Sequence, residues 1–191
     1  MTFGSRAFFE DFLNEFEEDK KNTNWVDLFE KKKERTEKML GTSDSRKKGD
    51  YGLLGKIGKK YGYTRECEWL KVDLNFHNDM EDEEFLGFIP WKTDVLIEHE
   101  NNPTNYVRTL LKLGETSTPL KIVFFYPKVE EENEFIETGR RIIKNLPVSY
   151  PGGVYLLVFG FCDDKKGVYW KAYEIDWKGN IFPISKIMSK N

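Results

Sequence analysis

Cysteine is scarce in this sequence, and only Cys67 and Cys162 are present among 191 residues. Two cysteines are too few for a disulfide scaffold, and they lack the paired spacing of a zinc site. Scarce, unpaired cysteine is typical of proteins in a reducing, intracellular compartment. We therefore expect a cytoplasmic location.

Long apolar runs are missing as well. No stretch approaches the roughly 20 apolar residues that a membrane-spanning helix requires. Residues 1–19 alternate phenylalanine and leucine with acidic residues, unlike a signal peptide or a transit peptide. The sequence predicts a soluble protein with no membrane partner.

An excess of positive charge is also absent, because 30 lysines and arginines face 33 acidic residues, for a net charge of −3. This balance argues against a strong attraction of the whole protein to nucleic acid, while local basic patches stay compatible with it. Hydrophobic residues make up 39% of the chain, with 15 Phe, 9 Tyr and 5 Trp, which is a globular composition. The length favours a single domain over residues 1–191.

Apolar periodicity predicts a helical N-terminal part over residues 5–40. Its first helix has phenylalanines and a leucine at helical spacing, and a second helix follows over residues 24–40. Alternating residues then indicate a strand from Glu66 to Phe76 and a short one from Phe85 to Ile89. The predicted core face of the first helix is Phe8, Phe9, Phe12, Leu13 and Phe16.

The second half of the chain alternates helices with strands. Asn102-Pro103 is a helix-start signal, and that helix should end near Gly114. Its predicted core face is Tyr106, Val107, Leu110 and Leu111. The remaining predicted elements are a buried strand over 120–126, a helix over 130–146 and strands over 154–161, 168–175 and 181–184. This order predicts an α/β fold with a mixed sheet, and a C-terminal part over 130–187 that consists of a helix and the strands of a β-meander.

Carboxylates gather at the end of the strand Val95-Leu96-Ile97. Alternate residues of a strand share a face, so Glu98 and Glu100 should point the same way with Cα atoms roughly 6.5–7 Å apart. Asp73 should stand on an adjacent strand. Oxygen-only ligands suit Mg²⁺ or Mn²⁺, so the three carboxylates are a candidate metal site. The alternative is a strand that emerges into solvent with its acids solvated. His99 should point to the opposite face and be packed rather than bind metal.

These residues resemble the PD-(D/E)XK nuclease superfamily, whose fold is like that of restriction endonucleases. The family core runs αβββαβ, and this chain offers that order from about 51 to 126. The segments IEHEN, LLKL and LKIVFFY are also similar to nuclease-like members of the superfamily. The resemblance implies that Asp73 and Glu98 hold the metal, with Glu66 or Glu68 as an additional upstream acid.

Two positions depart from the family pattern. Val72 stands where the signature has proline, and Glu100 stands where it has the lysine that positions or activates water. In some members the lysine comes from the following helix, which makes Lys112 the candidate here and Arg108 the weaker one. The resemblance implies catalytic roles for Asp73, Glu98, Glu100 and Lys112, and metal ligation by Asp73, Glu98, Glu100 and Glu68.

Three functions remain open from the sequence. The leading one is metal-dependent hydrolysis of phosphodiester bonds in DNA or RNA. The second is a non-catalytic binding module on the same fold that recognises a protein or nucleic-acid partner. The third is an unrelated α/β protein with solvated acids, since fold alone does not decide function. The oligomeric state is open, a homodimer included.

Overall fold

The structure is a computed structural model that describes residues 4–41, 52–69, 72–78, 92–146 and 153–184. Its helices are α1 (Ser5–Lys20), α2 (Trp25–Phe29), α3 (Lys32–Leu40), α4 (Gly52–Lys60), α5 (Tyr106–Gly114) and α6 (Glu132–Lys144). Its strands are β1 (Thr64–Trp69), β2 (Val72–Asn78), β3 (Lys92–Glu100), β4 (Leu120–Phe125), β5 (Val154–Asp163), β6 (Gly167–Asp176) and β7 (Ile181–Ile184). Short 3-10 turns at Pro103–Asn105 and Val129–Glu131 precede α5 and α6.

The seven strands form one sheet in the order β1 to β7. Strands β1, β2 and β3 pair antiparallel, β3, β4 and β5 pair parallel, and β5, β6 and β7 pair antiparallel. Parallel neighbouring strands need crossover connections. Helix α5 connects β3 to β4, and α6 connects β4 to β5. The prediction of an α/β fold with a mixed sheet and a C-terminal meander is confirmed.

Each face of the sheet carries its own hydrophobic core. Residues of β4 alternate between them, so Ile122 and Phe124 join the core with α1, while Val123 and Phe125 join the core with α5 and α6. All six residues of β4 are buried, which explains why all of them except Lys121 are apolar. The side chain of Glu98 lies on the face of the sheet that α5 covers.

Helix α1 packs as its sequence predicts. All five of its predicted core residues are buried. The Phe12 ring lies 4.9 Å from both Phe124 and Trp170 in edge-to-face geometry, an arrangement that stabilises aromatic pairs. This contact holds α1 against the centre of the sheet.

The single helix predicted over residues 24–40 is wrong, because the chain breaks between Phe29 and Lys32 into α2 and α3. Asn24 caps α2 by accepting a hydrogen bond from the backbone of Asp27. The carbonyl of Phe29, left without a helical partner at the break, accepts a hydrogen bond from Arg35 instead. A side chain of the following helix therefore satisfies the carbonyl that the break exposes.

The strand predicted from Glu66 to Phe76 is also wrong, since the chain reverses inside it. Trp69 pairs with Val72 across an antiparallel hairpin, so β1 and β2 replace one continuous strand. No glycine, asparagine or proline marks this reversal in the sequence. The strand predicted over 85–89 lies outside the described residues.

Two residues assigned to the core face of α5 are exposed. Val107 is 45% exposed and Leu111 46%, whereas Thr109 and Leu113 are buried. The buried stripe runs through Tyr106, Leu110 and Leu113, and positions 107 and 111 lie about 100° further round the helix. With α5 in this orientation, the face that carries Lys112 lies beside Glu98 at the end of β3.

Candidate active site

Asp73 and Glu98 stand on neighbouring strands, as the sequence predicts. In the β2–β3 register Leu74 pairs with Ile97, so the next pair toward the end of β3 is Asp73 and Glu98. The backbone N–H of His99 donates a hydrogen bond to Oδ2 of Asp73 at 2.8 Å. The pairing therefore fixes the Asp73 carboxylate against the end of β3.

Lys112 reaches this pair from α5. Its Nζ lies 2.6 Å from Oε1 of Glu98, whose side chain is only 6% exposed, while the lysine side chain is 30% exposed. Lys112 and Glu98, two of the predicted site residues, are therefore in contact. Arg108, the weaker candidate on the same helix, is exposed.

The pKa of Glu98 lies close to neutral pH. Burial, and after it the negative charge of Asp73, raise the pKa of Glu98 from 4.5 to about 7. Lys112 and a hydrogen bond with the Asp73 backbone act in the opposite direction and limit this rise. Two carboxylates close together in a buried position are a common setting for functional sites.

The raised pKa predicts a pH dependence of stability. The folded protein holds the Glu98 proton more tightly than the unfolded chain. Its stabilising contribution is therefore fully present below pH 4.5 and is lost as the pH rises through about 7. Glutamine has the shape of a protonated glutamate but does not titrate. Between pH 4.5 and about 7 we therefore expect the free energy of unfolding to fall less in Glu98→Gln than in the wild type, by on the order of 1–3 kcal/mol.

Denaturant titrations between pH 4 and 8 with EDTA present would measure this difference. Glu100→Gln is the matched control, because its carboxylate lies outside the contact between Glu98 and Lys112. Parallel pH profiles for the wild type and Glu98→Gln would contradict the prediction.

Glu100 has a local structural role in this arrangement. Its Oε1 accepts a hydrogen bond from the backbone of Asn102 at 2.6 Å, and its Oε2 lies 3.4 Å from the hydroxyl of Thr109. The side chain thereby joins the end of β3 to α5. Among the described residues, no three histidine, cysteine or acidic side chains come together as a metal site. The predicted convergence of three carboxylates is not found there.

Glu66 and Glu68, the predicted upstream acids, belong to β1, whose backbone pairs with β2. The structure describes the backbone of β1 and not its side chains. What the described part brings together is the pair Asp73 and Glu98 with Lys112.

This pair suits a hard cation. Mg²⁺ is commonly held by one or two carboxylates and keeps several of its waters. The charge of Asp73 already disfavours ionised Glu98, so a divalent cation shared by the two carboxylates would relieve their repulsion. Asp73 and Glu98 are the described residues that would hold Mg²⁺ or Mn²⁺.

His99 lies on the opposite face, as predicted. It is buried, and its Nε2 lies 2.6 Å from the hydroxyl of Tyr126. Burial lowers the pKa of His99 to about 3, so the ring is neutral at ordinary pH. A network of Thr36, Asn101 and Arg35 continues from it. Sequence reasoning missed this network, and its one local signal is the polar Asn101 directly after a buried strand.

In sequence comparisons, neither a protein-family model nor a curated protein matches this chain. Within the described ranges, no helix is both long enough and apolar enough to cross a bilayer. The contacts among Asp73, Glu98 and Lys112 are therefore the basis for assigning a function.

Proposed function

We propose that this protein is a metal-dependent nuclease that hydrolyses phosphodiester bonds of DNA or RNA with Mg²⁺ or Mn²⁺. One observation carries the proposal: the buried carboxylate of Glu98 lies beside Asp73 and in contact with Lys112. Two acids and one lysine are the groups that the PD-(D/E)XK pattern requires.

The order of elements supports this resemblance. Helix α4, strands β1, β2 and β3, helix α5 and strand β4 follow one another as in an αβββαβ core. Asp73 lies on the second of these strands and Glu98 on the third. Glu100 occupies the usual lysine position, and the ion pair of Lys112 supports the alternative in which the following helix supplies the lysine.

Each group has a defined chemical task in this proposal. Asp73 and Glu98 bind the cation, which when bound neutralises phosphate charge and lowers the pKa of a coordinated water. Lys112 provides a positive charge that can stabilise the negative charge developing on the attacked phosphate. The backbone N–H of His99 positions Asp73, and Glu100 joins the end of β3 to α5 through its hydrogen bonds.

A second function, a non-catalytic module that binds a protein or nucleic acid, has one observation in its favour. Lys112 already balances the charge of Glu98, and the described residues contain no group of three metal ligands. In such a module the acid–lysine contact would only support the fold.

Incubation with labelled single- and double-stranded DNA and RNA distinguishes the two functions. We expect cleavage of at least one substrate with Mn²⁺ or Mg²⁺ and none with EDTA. Absence of cleavage on every substrate, together with no calorimetric heat of Mn²⁺ binding at millimolar metal, would overturn the nuclease proposal in favour of the binding module.

A further inference from the structure

A cavity lined by both aromatic and charged residues lies on the other face of the sheet, away from Glu98. It has a volume of about 260 Å³ and is formed where α2 and α3 meet the ends of β3 and β4. Its walls include Phe29, Lys32, Arg35, Tyr126 and Lys128. Pockets for drug-sized ligands are roughly 300–1,000 Å³, so this one would enclose a ligand of that size only in part.

Arg35 is the unusual residue of this cavity. It is only 3% exposed, and its guanidinium stacks on the Tyr126 ring at 3.6 Å, with the Phe29 ring at 5.0 Å. Its hydrogen-bond acceptors are neutral: the carbonyl of Phe29 and, at 2.6 Å, the amide oxygen of Asn101. Among the described residues, no carboxylate lies within ion-pair distance of it.

A buried arginine whose hydrogen-bond acceptors are all neutral is costly, and the nearby charge of Glu30 offsets that cost only in part. Charges removed from water are normally paired, and Arg35 keeps N–H donors to spare, since its Nε has no acceptor in the described part. Burial lowers the pKa of Arg35 from its ordinary value, which expresses the same cost. An anion in the cavity would compensate this charge.

Further positive charge surrounds the cavity. Lys32 and Lys128 are exposed, and neither forms an ion pair with a described carboxylate. Helix α3 begins at Lys32, which lines the cavity, and no side chain caps this end of the helix. The partial positive charge of the helix N-terminus therefore lies beside the cavity. Two acids, Glu30 and Glu131, also line the cavity, but Glu131 accepts a hydrogen bond from the Lys128 backbone at 3.1 Å. Three cations therefore face two acids.

We propose that this cavity binds a phosphate monoester carried on a flat ring, the chemical class of a nucleoside monophosphate. Arg35, Lys32 and Lys128 supply the charge for a doubly charged phosphate, and Phe29 and Tyr126 supply aromatic surface for the ring. This site is independent of the proposed nuclease function, because it shares no side chain with Asp73, Glu98 or Lys112.

Isothermal titration calorimetry of the whole protein at low salt, with AMP, inorganic phosphate and adenosine as probes, tests the proposal. We expect AMP to bind at one site, more tightly than inorganic phosphate, and adenosine to give no measurable binding. Lys32→Ala and Lys128→Ala should each weaken AMP binding by about tenfold, since each removes a charge-assisted contact with the phosphate. Both lysines are exposed, so both variants should fold.

Lys33→Ala is the matched control, because Lys33 is exposed, neighbours Lys32 and lies 4.0 Å from Glu37. It should bind AMP as the wild type does, and so should Asp73→Asn, which separates this site from the nuclease proposal. No AMP binding at millimolar concentration, equal binding of AMP and adenosine, equal binding of AMP and phosphate, or lysine variants that bind normally would each overturn the proposal.

Discussion

The Asp73→Asn variant is expected to lose both the rise in melting temperature that Mn²⁺ causes and the Mn²⁺-dependent cleavage of nucleic acid. A cation that binds only the folded state raises its stability by mass action, and removing one of two charged ligands should remove that effect. Asparagine keeps the size of the side chain and an oxygen that can accept the hydrogen bond from the His99 backbone. The substitution therefore tests the charge rather than the fold.

Calorimetric melting with and without Mn²⁺ measures this effect, and Glu100→Gln is its control. The Glu100 carboxylate accepts hydrogen bonds from Asn102 and Thr109. In glutamine the oxygen can still accept from the Asn102 backbone, and the NH2 group can donate to the Thr109 hydroxyl, so this variant should keep the Mn²⁺-dependent shift. A full shift in Asp73→Asn would show that the cation does not bind there. Loss of the shift in Glu100→Gln would return Glu100 to the metal ligands.

Asp73→Asn has a second expected effect that does not involve metal. The charge of Asp73 is one of the two causes that raise the pKa of Glu98. Removing that charge should lower the pKa of Glu98 toward its ordinary value, while burial keeps it above 4.5. Carboxyl resonances followed by NMR during a pH titration in EDTA would measure this change and report on the pair in the absence of any catalysis.

The centre of the fold was predictable because its signals are local. The apolar run Ile122 to Phe125 within β4 indicates a strand buried on both faces, and the Asn102-Pro103 signal indicates a helix start. The adjacency of Asp73 and Glu98 followed from the family pattern and from strand alternation. The strand and the helix start required only the local order of residues, whereas the adjacency of the two acids also required the resemblance to the PD-(D/E)XK pattern.

Features that depend on distant partners were not predictable. The break between α2 and α3 is stabilised by Arg35, whose other acceptor, Asn101, lies 66 residues away. The reversal between β1 and β2 carries no turn residue. The role of Glu100 depends on Thr109, a polar residue buried on α5 where hydrophobicity alone would have placed Val107. In each case a tertiary contact decides between alternatives that the local sequence leaves equal.

Lys112→Ala is expected to reduce the rate of cleavage on the order of 10²–10³-fold, the usual cost of removing one group that stabilises developing charge. The effect on folding should be moderate. Lys112 is the cation beside a buried carboxylate, and removing it raises the pKa of Glu98 further, so Glu98 takes up a proton at neutral pH instead of remaining charged and unpaired. Melting curves at pH 6 and pH 8 would show this, because the variant should lose more stability at pH 8.

The exposed Arg108 on the same helix provides the matched control, and Arg108→Ala should cleave at nearly the wild-type rate. Lys112→Arg keeps the charge but changes its shape and reach, so it should recover stability more completely than activity. Single-turnover cleavage with Mn²⁺ at saturating substrate measures the chemical step in all three variants. Unchanged cleavage in a folded Lys112→Ala variant would assign Lys112 to the stability of Glu98 alone, and the positive charge at the attacked phosphate would then have to come from another residue.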